Sequence, residues 1–447
     1  MNRIFVAFCG LALSFQAAEA QSLVGDWSGK LQVTPAALKL VIHVAEGPAV
    51  TMDSPDQGAY GIKGQVVHLS ADSLNFRVPM LGASYAARLE GGRLEGTFAQ
   101  GGLRLPLTLE PGARKAVRPQ TPRAPFPYRT EEITVPAGDA TLAGTLTVPA
   151  DAAADTPLVV MVTGSGLQNR DEEVFEHRPF TVIADYLARN GIASFRYDDR
   201  GCGASTGNAA TATTADFAAD ARAVVDRMRA LGKFGRVGLL GHSEGGMVAY
   251  MLGARPATLD FIVSVAGPAV RGDSILVRQN LNALAKSGIT GAMADNFKDA
   301  LQKAFRLKID DKVATLDDAT LSEIYPTWNE SAITRKLADG IRGIFSGNVN
   351  PWMQYFISYS PGADLAALHI PALLIYGEKD MQVPASLNAP AARALAPGAE
   401  IKVYPGLNHL MQHAATGNVE EYGQIEETIA PEVLTDIVSF IKATTKN

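Results

Sequence analysis

From Ser22 to about Glu110, apolar and polar residues alternate in short runs at Lys39 to Val44, Gln65 to Leu69, Tyr85 to Leu89 and Arg104 to Leu109, with glycine-rich turns between them. A period of two in runs of this length predicts half-buried strands, and their spacing predicts a small all-β domain over residues 21–110. Residues 111–128 then gather Pro111, Pro119, Pro122, Pro125 and Pro127, with Arg114, Lys115, Arg118, Arg123 and Arg129 nearby. Proline at this density predicts an extended, semi-rigid linker. The alternative is a basic strip that holds the protein on an anionic surface.

Over residues 129–447 the pattern changes to continuous apolar runs alternating with stretches of helical period, which predicts a mostly parallel sheet covered by helices on both faces. Glu132 to Val135 and Thr141 to Val148 suggest an opening hairpin. Leu158 to Val162, Ile192 to Tyr197, Val237 to Leu240, Phe261 to Val265, Ala372 to Tyr376 and Ile401 to Tyr404 are the expected central strands. Helices are expected around Phe180 to Leu187 with Gly191 as the stop, around Phe217 to Leu231, and from Glu432 to Ile441. Between about Arg271 and Gly362 no convincing strand occurs, while Met293, Phe297, Leu301 and Phe305, and then Ile333, Leu337, Ile341 and Phe345, recur every four residues. Residues 271–362 therefore read as a helical insertion, expected to serve as a lid or substrate-binding cap because long idle connections are uncommon; a packing subdomain is the plainer alternative.

Composition narrows the class. With 447 residues, 47% hydrophobic and 19% charged, the chain has ample material for a core and is not a disordered one. A formal charge of −6 from 40 basic and 46 acidic residues carries no electrostatic footprint for nucleic acid. The first residues set Arg3 ahead of the apolar run Ile4 to Phe15, followed by Ala18-Glu19-Ala20. Residues 1–20 thus read as a secretory signal peptide cleaved before Gln21, since the apolar run is well short of the roughly 20 residues that span a bilayer. Phe8 ahead of Cys9 argues against a lipid-modified cysteine. No membrane span is expected elsewhere, and the expected location is periplasmic or secreted. Cleavage leaves Cys202 alone, so no internal disulfide framework is expected.

The chemistry centres on Gly241-His242-Ser243-Glu244-Gly245, which follows an apolar strand and precedes a helical stretch. That is the context of a nucleophile elbow, where the serine occupies a crowded strand-to-helix turn and glycines relieve the collision. A serine hydroxyl needs an imidazole to take its proton and a carboxylate to orient that imidazole. Asp380, after the Ala372 to Tyr376 strand, and His409, after the Ile401 to Tyr404 strand, supply them in the order serine, acid, histidine. Glu378 is the rival acid and His413 the rival base; His43, His68, His177, His242 and His369 read as surface or satisfied core histidines. The oxyanion hole is expected from the backbone amides of Glu244 and of Ser165 in the loop after Val162, with Gly166 the nearest competitor for the second. The same Gly-Ser-Gly lacks the spacing and lysine of a phosphate-cradling loop. Asp198, Asp199 and Arg200 read as turn-holding residues with pocket lining as the alternative. Cys202 lacks a partner histidine, and Trp328 and Trp352 of the insertion are core or substrate contacts. No metal-ligand cluster is apparent, and no metal or organic cofactor is expected.

From Tyr128 onward the chain resembles bacterial α/β-hydrolase esterases of the serine-aminopeptidase-like branch, including exported carboxylesterases with an extra N-terminal domain. The resemblance rests on Gly164 to Glu172, Tyr197 to Gly203, Gly241 to Gly246, Ala266 to Pro268, Gly377 to Asp380 and Pro405 to His409 leading to Glu426 and Glu427. The family pattern carries proline at position 167 and a small or apolar residue at 202, where this chain has Leu167 and Cys202. The resemblance implies an α/β-hydrolase fold and hydrolysis of small-molecule, short-chain carboxylic esters by Ser243, His409 and Asp380. A peptidase, aminopeptidase or thioesterase would use the same triad. A ligand-binding module with a vestigial hydrolase domain is the reading of another class.

Overall fold

The computed structural model describes residues 23–33, 36–47, 49–57, 59–113, 116–310, 315–345 and 351–445. The expected signal peptide, with its cleavage before Gln21, lies outside the described residues, as do Arg114 and Lys115 of the proline-rich segment. The chain divides into two compact units, Met1–Pro55 with Ala59–Arg114, and Asp56–Gly58 with Lys115–Asn447.

In the first unit the alternating pattern folds into eight strands, β1 (Gly25–Val33), β2 (Ala36–Val44), β3 (Ala49–Ser54), β4 (Ala59–Leu69), β5 (Ser73–Val78), β6 (Ala83–Glu90), β7 (Arg93–Gln100) and β8 (Leu103–Pro111). Each pairs antiparallel with the next, and β1 returns to β8 through Trp27 opposite Pro111 and Ser28 opposite Glu110, closing a barrel. Closure removes the unpaired edges that an open sheet would leave. The inward positions Trp27, Leu31, Ile42, Phe76, Tyr85 and Leu107 form one core. The buried Tyr85 hydroxyl donates to the carbonyls of Leu94 and Leu107 at 3.1 and 3.0 Å, so its polar atom is satisfied. The four expected runs fall in β2, β4, β6 and β8.

The second unit is built on one sheet of β9 (Tyr128–Ala137), β10 (Ala140–Pro149), β11 (Leu158–Val162), β12 (Ala193–Tyr197), β13 (Val237–His242), β14 (Ile262–Val265), β15 (Ala372–Gly377) and β16 (Glu400–Tyr404). The spatial order is β16-β15-β14-β13-β11-β12-β10-β9; only β9 and β10 run antiparallel to their neighbours. Helices α1 (Pro179–Arg189), α2 (Thr214–Ala230) and α3 (Glu244–Gly253) alternate with strands, and α4 (Gly272–Lys286), α5 (Ala292–Ile309), α6 (Asp318–Ile324), α7 (Ala332–Phe345) and α8 (Pro351–Ser358) form the insertion. The chain finishes with α9 (Gly362–Ala366), α10 (Ala385–Leu395), α11 (Val419–Tyr422) and α12 (Pro431–Thr445) around the last strands.

The continuous apolar runs are explained by burial on both faces. In β11, Leu158, Val160 and Val162 face one core with α2 and α3, whereas Val159 and Met161 face a second with α1 and α12. The insertion carries its own core, including Phe297, Leu301, Phe305, Ile341 and Phe345, although Ile333 in the first turn of α7 is 48% exposed. The proline-rich segment differs from a free spacer. The buried Arg118 guanidinium donates to the carbonyls of Phe175 at 2.7 Å and Gly423 at 3.0 Å, and Gln120 donates to that of Ile429 at 2.7 Å. Arg118 thus supplies hydrogen-bond donors to backbone carbonyls instead of presenting a basic surface.

One topological feature places the site. From β11 the chain crosses through α1 to β12 on one side and then through α2 to β13 on the other, so β11 lies between β12 and β13. Loops leaving the C-terminal ends of β11 and β13 diverge there, and such a switch point is where open α/β sheets form a crevice.

Candidate active site

Ser243 ends β13 and heads α3 with φ 53° and ψ −117°, in the left-handed region that a non-glycine residue occupies at a cost of about 1–3 kcal/mol. The turn is so tight that a Cβ on Gly241 would lie 1.9 Å from the carbonyl oxygen of Gly245, and one on Gly245 would lie 2.2 Å from that of Val162. Both positions therefore admit only glycine without moving backbone. The Ser243 amide donates to the Val265 carbonyl at 2.8 Å, which anchors the elbow to β14. The side chain is half-buried, and its hydroxyl has no hydrogen-bond partner among the described residues.

Asp380 and His409 come together from the loops after β15 and β16. Nδ1 of His409 lies 2.7 Å from Oδ2 of Asp380, with Asp380 only 2% and His409 only 4% exposed. The other carboxylate oxygen, Oδ1, accepts the amides of Gln382 at 2.8 Å and Val383 at 2.7 Å, which fixes the carboxylate plane. Gly377 lets the two loops close, since a Cβ there would sit 2.4 Å from the Leu407 carbonyl oxygen. Asn408 holds the histidine loop by accepting the amides of Leu410 and Gln412, both at 3.0 Å. Glu378, the rival acid, is exposed and accepts the Gly406 amide at 2.9 Å. His413, the rival base, is exposed and pairs with Glu427 and Glu432. His409 stacks at a tilt on His242, the residue before Ser243, with ring centroids 4.8 Å apart. The imidazole thereby stands beside the elbow.

The two expected oxyanion donors lie at the loop ends on either side of the switch point. Glu244 occupies the first turn of α3, where backbone N–H groups have no intrahelical acceptor. Ser165 is exposed in the loop after β11. Neither amide has a backbone acceptor among the described residues. The neighbouring Gly164 amide, in contrast, is spent on Oε1 of Glu172 at 2.7 Å.

Comparison with known proteins decides the family. The model described as "Alpha/beta hydrolase family" matches residues 159–421, well over half of the chain. The chain belongs to the alpha/beta hydrolase family. Esterase EstD of Thermotoga maritima is 26% identical over 289 residues, which cover 64% of this chain and 61% of that esterase, less than two thirds of its length. Among solved structures, esterase Pf2001 of Pyrococcus furiosus has a TM-score of 0.42 at 15% identity, covering 75% of this chain and 99% of that one. Alpha/beta hydrolase GrgF from Penicillium sp. sh18 has a TM-score of 0.45 at 20% identity, covering 72% and 100%.

In this alpha/beta hydrolase the surrounding polar residues are mostly structural. Asp198 binds Arg170 at 2.9 Å and Arg200 binds Asp220 at 2.6 Å, so both hold loops. Asp199 accepts from Thr163 Oγ1 at 2.9 Å and from the Gln168 amide at 2.9 Å, and burial pushes its carboxyl up to about 8. Burial likewise raises the Cys202 thiol to about 11, which leaves it protonated and without nucleophilic character at neutral pH. Trp352 of the insertion donates through Nε1 to Oε1 of Glu244 at 2.8 Å, and Thr214 Oγ1 donates to the same atom at 2.6 Å. Burial raises the Glu244 carboxyl in spite of these donors. Trp328 instead donates to Ser322 at 3.0 Å and stacks under Arg342. His242, expected as a surface or satisfied core histidine, is buried with both ring nitrogens paired, and its partner Glu172 was given no role by the sequence. Their only sequence signals are the position of His242 inside the glycine-serine motif and that of Glu172 at the end of the run that begins at Gly164. Among the described residues no group of three or more His, Cys, Asp and Glu could hold a metal ion, and no helix is long and apolar enough to cross a membrane.

Proposed function

We propose that this protein is an exported serine esterase of the serine-aminopeptidase-like branch that cleaves short-chain carboxylic esters through an acyl-enzyme. The observation that carries the reading is the buried 2.7 Å contact of Asp380 with His409, set beside a serine in a left-handed elbow. Nδ1–H of His409 donates to Asp380, which leaves Nε2 as the acceptor. Ser243 Oγ attacks the ester carbonyl carbon while its proton passes to Nε2. Negative charge collects on the carbonyl oxygen, where the Ser165 and Glu244 amides receive it; one such donor is worth about 2.7–4 kcal/mol of barrier. Collapse breaks the bond to the alcohol, which leaves with the proton from Nε2. Water then repeats the sequence on the acyl-Ser243 ester and releases the acid. The helical insertion acts as the cap, and the Trp352 contact with Glu244 supports a place for it at the site.

Purified protein assayed on nitrophenyl esters of several acyl lengths, beside Ser243→Ala, tests the chemistry. The variant should lose roughly 10⁴-fold or more in kcat. Equal turnover by both proteins removes Ser243 from the mechanism, and a clear preference for matched thioesters or aminoacyl amides overturns the ester assignment. A fluorophosphonate probe that fails to label the folded protein favours the vestigial, ligand-binding reading. Export is tested by cell fractionation and N-terminal sequencing, with Gln21 expected as the first residue outside the cytoplasm.

A further inference from the structure

Behind the elbow lies a buried histidine–carboxylate contact that the acyl-enzyme steps do not use. Nδ1 of His242 sits 2.9 Å from Oε1 of Glu172, and Nε2 of His242 sits 3.0 Å from the backbone carbonyl oxygen of His409. His242 is 8% and Glu172 3% exposed. Oε1 of Glu172 also takes the amide proton of Gly164 at 2.7 Å. Both partners of the ring are therefore acceptors, and an imidazole can satisfy two acceptors only with a proton on each nitrogen.

We propose that His242 is held as an imidazolium whose two N–H groups tie the backbone of His409 to Glu172, making His242 and Glu172 positioning residues for the base. This inference rests on the serine-hydrolase reading of the site. The pair joins three chain segments that the reaction needs in register: the loop after β11 through Gly164, the elbow through His242 itself, and the base loop through the His409 carbonyl. The charged and titratable groups that face the ring are Glu172, Asp380 and His409. A small cavity that His242 and Glu172 help to line is otherwise apolar, walled by Phe180, Ile183, Leu240, Val265, Leu410 and Ile429 among others. Burial acts to lower the His242 pKa, but the charge and hydrogen bond of Glu172, the His409 carbonyl and the Asp380 charge together outweigh it, and the net shift is upward. Glu172 is itself held at φ 51°, and Phe175 and Glu176 follow at φ 51° and 62°. Strain concentrated in one non-glycine loop persists only where the surroundings over-determine it, and it clusters at functional sites.

The decisive experiment combines kinetics with ring-nitrogen NMR. In wild-type protein carrying ¹⁵N-histidine, both His242 ring nitrogens should show protonated shifts at pH 7.5; a neutral tautomer overturns the proposal without any variant. Glu172→Gln removes the counter-charge, so the His242 pKa falls and the alkaline limb of the kcat/KM profile moves to lower pH. At the wild-type optimum kcat should drop roughly 10- to 100-fold with KM little changed, as expected when a base is misplaced by a fraction of an ångström. A folded Glu172→Gln protein with wild-type kcat and an unmoved alkaline limb refutes the positioning role. If the wild-type protein turns over no ester, the hydrolase reading fails, while the ring-nitrogen shifts still decide the state of the pair.

Discussion

Asp380→Asn is the substitution whose consequence is fixed most tightly by local geometry. Oδ1 of Asp380 faces two donors, the amides of Gln382 and Val383, at 2.8 and 2.7 Å. An asparagine at this position must aim its carbonyl oxygen at those amides, because the reverse orientation would set its NH₂ group against two N–H groups at a cost of about 1–3 kcal/mol for each unsatisfied donor. The NH₂ group is then forced toward Nδ1 of His409, at the 2.7 Å now occupied by the carboxylate contact. Nδ1 must become an acceptor, so the ring proton moves to Nε2, the atom that has to take the Ser243 proton. The base is thus lost by tautomer with its position kept, and kcat should fall by roughly 10⁴, or about 5 kcal/mol of barrier. The assay is nitrophenyl ester hydrolysis at saturating substrate, with circular dichroism to establish folding and a Ser243→Ala, Asp380→Asn double variant as control. Because the triad acts as a unit, the double variant should be no slower than Ser243→Ala alone. A folded Asp380→Asn protein that keeps kcat within ten-fold of wild type would refute the tautomer reasoning.

Two further outcomes follow from packing and burial. Gly241→Ala would drive a methyl to 1.9 Å from the Gly245 carbonyl oxygen, so the elbow should open, with urea stability reduced by about 3 kcal/mol or more and esterase turnover lost; an unchanged urea midpoint would contradict the crowding described for the turn. His177 is fully buried, and burial together with the Arg118 charge lowers its pKa from 6.5 to about 4, so it is neutral when folded and protonated when unfolded between those values. Its contribution is complete above pH 6.5 and declines as pH falls toward 4, by on the order of 3 kcal/mol; urea unfolding from pH 7 to 4 should show that slope, and a slope unchanged in His177→Gln would assign the loss to other groups.

The elements that were legible in the sequence are those whose signal is local. The apolar runs at Leu158 to Val162 and Ala372 to Tyr376 coincide with β11 and β15 because a strand buried on both faces has no polar position to interrupt it. The four-residue recurrence at Phe297, Leu301 and Phe305 likewise marks the inner face of α5. In contrast, α10 was not legible: Pro390 lies inside it, and a proline within a helical stretch reads as a break. Strands β1, β3, β5 and β7 of the barrel were not singled out, and its closure was not legible because β1 pairs with β8 across some eighty positions. The proline-rich segment read as a spacer because composition reports stiffness, whereas the Arg118 contacts with Phe175 and Gly423 depend on chain brought from far away.

For the site, the sequence by itself determined the sharp turn at Ser243, since glycines at 241 and 245 are a requirement of backbone collision within a few residues. It also determined that Asp380 and His409 each follow a strand, since strand ends are local events. Only the tertiary structure decided which of them touch. The order β16, β15, β14, β13 brings the Asp380 loop to His409 and sets both beside the elbow, while the Ser165 and Glu244 amides, at the ends of β11 and β13, have no backbone acceptor among the described residues. Glu172 and His242 lie seventy residues apart, and nothing in either one's neighbourhood along the chain marks the pair. The physical reason is that hydrophobic period and turn chemistry act over a few residues, whereas a buried proton is placed by whichever acceptors the folded sheet leaves facing it.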